Sequence, residues 1–177
     1  MTTNTITYTE VDSPIGVLTL ASFSGALCRV GFGGFEASRD KLELWSDRWF
    51  GTRSWQYAPA ALSEASAELD AYFGGSLQQF SVKLELRGTP FQVQVWEALR
   101  TVPYAQACAY KDIASQIGSP KAVRAVGGAN NRNPVPIIVP CHRVIGAAGA
   151  MVGYGGGLGI KTFLLQHEGY SSGGIGQ

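Results

Sequence analysis

The run Asn133-Pro134-Val135-Pro136-Ile137-Ile138-Val139-Pro140-Cys141-His142-Arg143-Val144 puts a nucleophile, a base and a cation in three consecutive positions. A thiolate attacks where a thiol does not, and neighbouring imidazolium or guanidinium charge favours it, so Cys141 is a candidate nucleophile. Three prolines in an apolar stretch exclude a regular helix and make a poor central strand. The pattern predicts a rigid, buried, extended segment that delivers Cys141 to a fixed place. Adjacent side chains diverge, so Cys141 and His142 are not expected to touch, and a water between them is the natural proton relay. His142 then needs an orienting group. Glu168 suits: residues 158–167 have helical spacing, Gly169 reads as the C-cap, and a carboxylate in a last turn opposes the helix dipole unless a cation offsets it. Taken singly, a buried cysteine is more often inert and a terminal glutamate more often solvated.

A second stretch, residues 149–157, is rich in glycine. It is no Walker loop, because Ile160 precedes Lys161-Thr162 where glycine is required. It reads either as a connector or as backbone that approaches a planar ligand closely. Three cysteines (Cys28, Cys108, Cys141) without a close pair argue against a disulfide framework and for a reducing compartment. With only His142 and His167 and no C-x-x-C spacing, neither a metal site nor a cofactor is expected.

These residues need a scaffold, and the surrounding chain supplies helical signals. Thr89 can cap a helix with Pro90 at its first position, and Phe91, Val95, Trp96 and Leu99 share a face. Residues 110–117 form a short helix ended by Gly118. Ser119-Pro120 reads as an immediate restart, with Ser119 as cap, running to about Gly127-Gly128. Two short helices across a three-residue hinge make a helix-turn-helix pattern. The second helix, Lys121-Ala122-Val123-Arg124-Ala125-Val126-Gly127-Gly128-Ala129, is almost wholly small around one arginine. Such a surface suits tight packing within the domain or close approach to a nucleic-acid groove, with Arg124 free to insert into a base stack.

Charge separates the two halves. Residues 1–88 carry seven Lys/Arg against ten Asp/Glu, a net of −3, and residues 89–177 carry seven against three, a net of +4. Between 100 and 143, six cations face Asp112 alone. This asymmetry fits an anionic partner or a merely basic solvated face. The first half reads as a small α/β unit, with strands at 6–11, 16–21, 27–32 and 80–86 and helices at 37–50 and 62–73. A boundary falls at Arg87-Gly88-Thr89-Pro90, giving a scaffold domain over 1–88 and a functional domain over 89–177. At 177 residues, with 45% hydrophobic and 15% charged residues, wholesale disorder is excluded. No apolar run reaches the ~20 residues of a membrane helix. The polar start, residues 1–10, is no signal peptide, so the cytosol is the default compartment. Residues 171–177 read as a tail.

The pentapeptide Pro140-Cys141-His142-Arg143-Val144, with Asn133-Pro134-Val135-Pro136-Ile137 before it, resembles the O6-alkylguanine-DNA alkyltransferases of bacterial type. The resemblance extends through Gly153-Tyr154-x-Gly156-Gly157-Leu158 and Leu164-Leu165-x-His167-Glu168-Gly169, covering residues 89–170. It implies a ribonuclease-H-like α/β N-terminal domain and a mostly α C-terminal domain with a winged helix-turn-helix. It implies direct repair: Cys141 takes the alkyl group from O6-alkylguanine, and from O4-alkylthymine, in double-stranded DNA, once per molecule. His142 would be the base acting through water, Glu168 its orienting carboxylate, and Asn133 a hinge to the helix-turn-helix. Tyr110 would donate a proton to the base, and Tyr110, Val144, Tyr154 and Gly155 would line its pocket. Arg124 would fill the gap left by the flipped nucleotide, with Lys121, Ala125, Gly127 and Gly128 against DNA.

The resemblance further implies a monomer that could bind DNA cooperatively, with no membrane and no metal. Two departures stand out. Some members have serine at the position of Gly155, and some bind zinc in an N-terminal domain that here has Cys28 and no histidine. Two other readings compete. A damage-binding protein of the alkyltransferase-like kind would lack the acceptor cysteine, and a cysteine hydrolase would have no use for a basic helix-turn-helix.

Overall fold

A computed structural model of the chain describes residues 4–146 and 149–170, leaving the 171–177 tail outside the described residues. The chain divides into two compact units, Met1–Arg87 and Gly88–Gln177.

In the first unit, alternating apolar residues make strands β1 (Ile6–Val11), β2 (Leu18–Phe23) and β3 (Ala26–Phe32). Ser24 and Gly25 both have positive φ, the backbone of a type I′ hairpin turn, which pairs Phe23 with Ala26. Helix α1 (Phe35–Phe50) follows, then β4 (Trp55–Tyr57), a turn of 3₁₀ helix (Pro59–Leu62) and α2 (Ser63–Phe73). The sheet order is β3-β2-β1-β4, with β1 antiparallel to β2 and parallel to β4. One core cluster joins Ile6, Ala21, Cys28 and Phe50 to Tyr8, Phe23, Trp45, Trp49 and Trp55. Burial pushes the Cys28 thiol up to about 12, so this cysteine is packing.

One element here was not expected, and one expected strand is absent. Strand β4 is too short and too exposed to announce itself; it exists because Ile6 and its neighbours offer a free edge. Residues 80–86 do not form a strand, and only Leu84 bridges to Leu27. The carboxylate of Glu68 on α2 accepts the backbone N–H groups of Ser81 and Val82, at 3.1 and 2.9 Å, and the Ser81 hydroxyl. Those donors are therefore committed to a side chain and not to a β ladder.

The second unit is mostly helical: α3 (Pro90–Leu99), β5 (Cys108–Ala109), α4 (Tyr110–Gln116), α5 (Val123–Asn131), a 3₁₀ turn (Cys141–Arg143), β6 (Val144–Ile145) and α6 (Leu158–His167). Helix α3 opens on a capping box: Gln92 N–H donates to Thr89 Oγ1, and Thr89 N–H donates to Gln92 Oε1. Trp96 donates its indole N–H to the Ala129 carbonyl at 2.8 Å, fastening α3 to α5. That leaves no room beside Gly88, where a Cβ would lie 2.5 Å from the Trp96 ring. Strands β5 and β6 pair in parallel, bringing the α4 entry beside the residues that follow the 3₁₀ turn.

Helices α4 and α5 form the helix-turn-helix, but α5 begins at Val123 and not at Ser119-Pro120. Ser119 N–H closes α4 by donating to Ala114, and its carbonyl accepts Ala122 N–H in a tight turn. Ser119 is therefore no cap, and Lys121 lies in the turn ahead of the helix. At its other end α5 runs through Gly127-Gly128 to Asn131, because Val126, Ala129 and Asn130 bury against the unit. Among the described residues no helix is long and apolar enough to cross a membrane.

Candidate functional site

The proline-rich segment is buried from Pro134 to Ile145, as its composition demands, but it is not simply extended. Ile137 sits at φ 75°, a left-handed conformation that costs a β-branched residue on the order of 1–3 kcal/mol. Hydrogen bonds hold the chain in this turn. The Asn133 amide donates to the Val139 carbonyl at 2.8 Å and its oxygen accepts Val135 N–H at 2.9 Å. Val139 N–H returns to Val135, and Cys141 N–H to Val139. Prolines cannot supply these donors, so one asparagine side chain replaces part of a missing ladder.

The segment ends in the 3₁₀ turn that carries Cys141, His142 and Arg143, all buried. Successive side chains in such a turn lie ~120° apart, and the three take different partners. His142 Nε2 lies 2.7 Å from Glu168 Oε2, and Arg143 grips both oxygens of the same carboxylate, at 2.9 and 3.0 Å. Ala105 N–H adds a bond at 3.3 Å. Glu168 occupies the C-cap of α6, and Gly169 turns the chain away at φ 87°. The arginine was expected to favour a Cys141 thiolate. Its guanidinium is instead committed to Glu168 and, through Nη1, to the Val102 carbonyl at 2.7 Å.

Electrostatics set the protonation states. Burial alone would raise the Glu168 carboxyl; hydrogen bonds from His142 and Arg143 overturn that and hold it well below the ordinary carboxylate range. Burial lowers His142, and the opposing pull of Glu168 does not restore it. The imidazole is therefore neutral, with Nε2 carrying the proton toward an ionised Glu168 and Nδ1 presenting a lone pair. Nδ1 is buried and has no hydrogen-bond partner among the described residues. Burial pushes the Cys141 thiol up to about 11, against hydrogen bonds from Asn133 and Tyr154 and the charge of Lys161. The resting sulfur is a thiol, which corrects the expectation of a thiolate; a base must take its proton.

Both His142 and Glu168 bind protons more tightly in the unfolded chain than in the fold. Stability is thus full above the ordinary histidine value of about 6.5 and is lost as pH falls, first through His142, then through the carboxylate below about 4.5. Thermal melts between pH 7.5 and 4.5 should show a midpoint that holds down to about pH 6.5 and drops below it. In His142→Gln the loss between pH 6.5 and 5 should shrink; a midpoint that rises on acidification would mean that His142 is charged in the fold.

Around the sulfur, Tyr110 donates its hydroxyl to the Val152 carbonyl at 3.2 Å, and its phenol is pushed up by burial and by Cys141. Val144 is fully buried. A Cβ on Gly155 would meet nothing closer than the Asn131 carbonyl at 3.6 Å, so a serine would fit there. Two residues at the site escaped sequence reasoning. Asn130, at the end of α5, donates to the Cys141 carbonyl at 3.4 Å. Lys161 is fully buried and donates to the carbonyls of Val144 and Val152. Its spacing from Leu164, Leu165 and Glu168 puts it on the inward face of α6, which was the available signal. On the outer side, Lys121, Arg124, Ala125 and Gly128 are exposed and Gly127 is half-buried.

Residues 90–170 match the family model described as 6-O-methylguanine DNA methyltransferase, DNA binding domain, and residues 6–86 match the ribonuclease-like domain of the same family. The chain belongs to the 6-O-methylguanine DNA methyltransferase family. A methylated-DNA–protein-cysteine methyltransferase of Mycobacterium tuberculosis is 48% identical over 164 residues, 92% of each chain. One from Methanosarcina acetivorans is 48% identical over 92% of this chain and 97% of the relative. The crystal structure of Mycobacterium tuberculosis OGT in complex with DNA superposes with a TM-score of 0.78 at 46% identity, over 93% of this chain and 92% of that one. In this methyltransferase-family chain, as the motif led one to expect, an α/β unit precedes a helical one. Among the described residues no cluster of His, Cys, Asp and Glu could hold a metal ion.

Proposed function

We propose that this chain repairs DNA by moving the alkyl group of O6-alkylguanine, and of O4-alkylthymine, from a flipped nucleotide in double-stranded DNA onto its own Cys141. The observation that carries this is a neutral imidazole, fixed by an ionised buried glutamate, next to a buried cysteine whose proton must be removed. A water between Sγ and Nδ1 takes the thiol proton to His142 as the sulfur attacks the alkyl carbon and the C–O6 bond breaks. Tyr110 gives a proton to the departing guanine and recovers one from His142, so the thiol proton ends on the base. Asn133 and Asn130 hold the Cys141 backbone in place, and Val144, Tyr154 and Gly155 line the base pocket. No group here cleaves a thioether, so each molecule reacts once.

Residues 89–177 carry the chemistry and 1–88 act as scaffold. Helix α5 faces the minor groove with Ala125, Gly127 and Gly128, Lys121 meets phosphate, and Arg124 enters the stack. Added Cβ atoms on Gly127 and Gly128 would meet nothing within 4 Å. Helix-interior glycines cost ~0.5–1 kcal/mol each relative to alanine, so internal packing does not call for them; close approach of an outside surface does. The protein acts as a monomer, without metal or cofactor, and its free cysteines suit a reducing cytosol.

Incubation with a duplex containing O6-methylguanine should add a single methyl mass, located by peptide mapping on the fragment with Cys141. Methyl on Cys28 or Cys108, or none, would overturn the reading.

A further inference from the structure

A buried cation normally has a buried anion. Lys161 has none: its ammonium is fully enclosed, its two hydrogen bonds go to neutral carbonyls, and no carboxylate among the described residues lies within ion-pair distance. The nearby carboxylate, Glu168, is already shared by His142 and Arg143. Keeping a charge in such a place is costly unless an anion forms beside it. The one neutral acid nearby that must become an anion is the Cys141 thiol. Val144, whose carbonyl takes the shorter Lys161 bond at 2.6 Å, lies one turn beyond Cys141, and α6 packs on the 3₁₀ turn that carries the sulfur. The second carbonyl, Val152 at 2.8 Å, also accepts from Tyr110.

We propose that Lys161 is the positioning residue that supplies the counter-charge to Cys141 as its sulfur ionises, and that it anchors the glycine-rich loop through the Val152 carbonyl. Three observations agree. The charge of Lys161 acts to lower the Cys141 thiol, and Cys141 in return acts to raise the ammonium, which burial has brought down to about 8. His142, Arg143 and Glu168 face this region from the 3₁₀ turn and α6, but they are bound to one another and leave no net charge to aid the sulfur. Tyr110 from α4, its phenol pushed up by burial, and Tyr154 from the loop, which hydrogen-bonds the sulfur, bring no cation there. Without Lys161, then, no cation would balance the sulfur. The inference rests on Cys141 being the reacting thiol, and its main readout does not require DNA repair.

The test compares Lys161→Met with Lys161→Gln in the full chain. Methionine removes both the charge and the donors, while glutamine keeps a donor for the carbonyls and removes the charge. The rate of Cys141 alkylation by iodoacetamide at pH 7, where the Lys161 ammonium is charged, is followed by peptide mass and reports the thiolate directly. In both variants that rate should fall by about tenfold or more, the equivalent of about one pH unit when a nearby opposite charge is lost. Methyl transfer at pH 7 should slow by roughly tenfold or more, with duplex affinity within about twofold of the parent. A Cys141 alkylation rate unchanged in Lys161→Gln overturns the proposal and leaves Lys161 as a tie between two carbonyls. If the parent protein fails to take methyl onto Cys141 while the alkylation rate still falls in the variants, the repair reading fails and the Lys161–Cys141 pairing stands. If Lys161→Met does not fold, the glutamine variant alone decides.

Discussion

Glu168→Gln is expected to slow methyl transfer by about two to four orders of magnitude, the range associated with a positioned general base. The amide would still accept a hydrogen bond from His142, but it carries no charge to keep the proton on Nε2 and the lone pair on Nδ1. The base would lose both its tautomer and its orientation. Arg143 would lose the carboxylate that it grips at 2.9 and 3.0 Å and remain a buried cation held mainly by the Val102 carbonyl. Removing one partner of a buried pair typically costs ~3–5 kcal/mol. In a chain of this size that is a fall in melting temperature on the order of 10 °C. Rates must therefore be compared well below both midpoints. Affinity for unmodified duplex should change little, because Glu168 lies in the interior. A rate within threefold of the parent would remove His142 and Glu168 from proton transfer.

Arg124→Ala should do the reverse, leaving the fold intact and impairing only work on duplex. Arg124 is exposed on α5, so its loss should move stability by no more than about 0.5 kcal/mol. Holding a nucleotide out of the stack costs a few kcal/mol, and a side chain that fills the gap recovers part of it. Losing 1–3 kcal/mol of that compensation corresponds to a slowing of about five- to 150-fold on O6-methylguanine in duplex, with free O6-alkylguanine reacting as before. Equal slowing on both substrates would show that Arg124 takes no part in flipping.

Much of this chemistry was legible in the order of residues, because local rules place it. Cys141 and His142 adjoin, and prolines at 134, 136 and 140 forbid a regular α-helix around them. Thr89-Pro90 starts α3 by a capping box that needs only four residues to form. A carboxylate in a last helical turn asks for a cation, which marks Glu168 as a partner for this segment; the cation is Arg143, and His142 joins it as a neutral imidazole. Apolar periodicity located α1, α2 and α6 to within two residues.

Residue order alone establishes the inventory and its local geometry: a cysteine held by prolines, a base beside it, and a helix pair with a small-residue face. How charge is shared among them emerges from the folded interior. Arg143, adjacent to the sulfur in sequence, is bound to Glu168, and Lys161, marked in the chain only by a failed Walker match, is a buried cation without an anion among the described residues. The left-handed turn at Ile137 and the reach of α5 to Asn131 were likewise invisible. Each depends on contacts between distant segments, and burial, which sets the state of Cys141, His142, Lys161 and Glu168, is a property of the folded interior and of no residue alone.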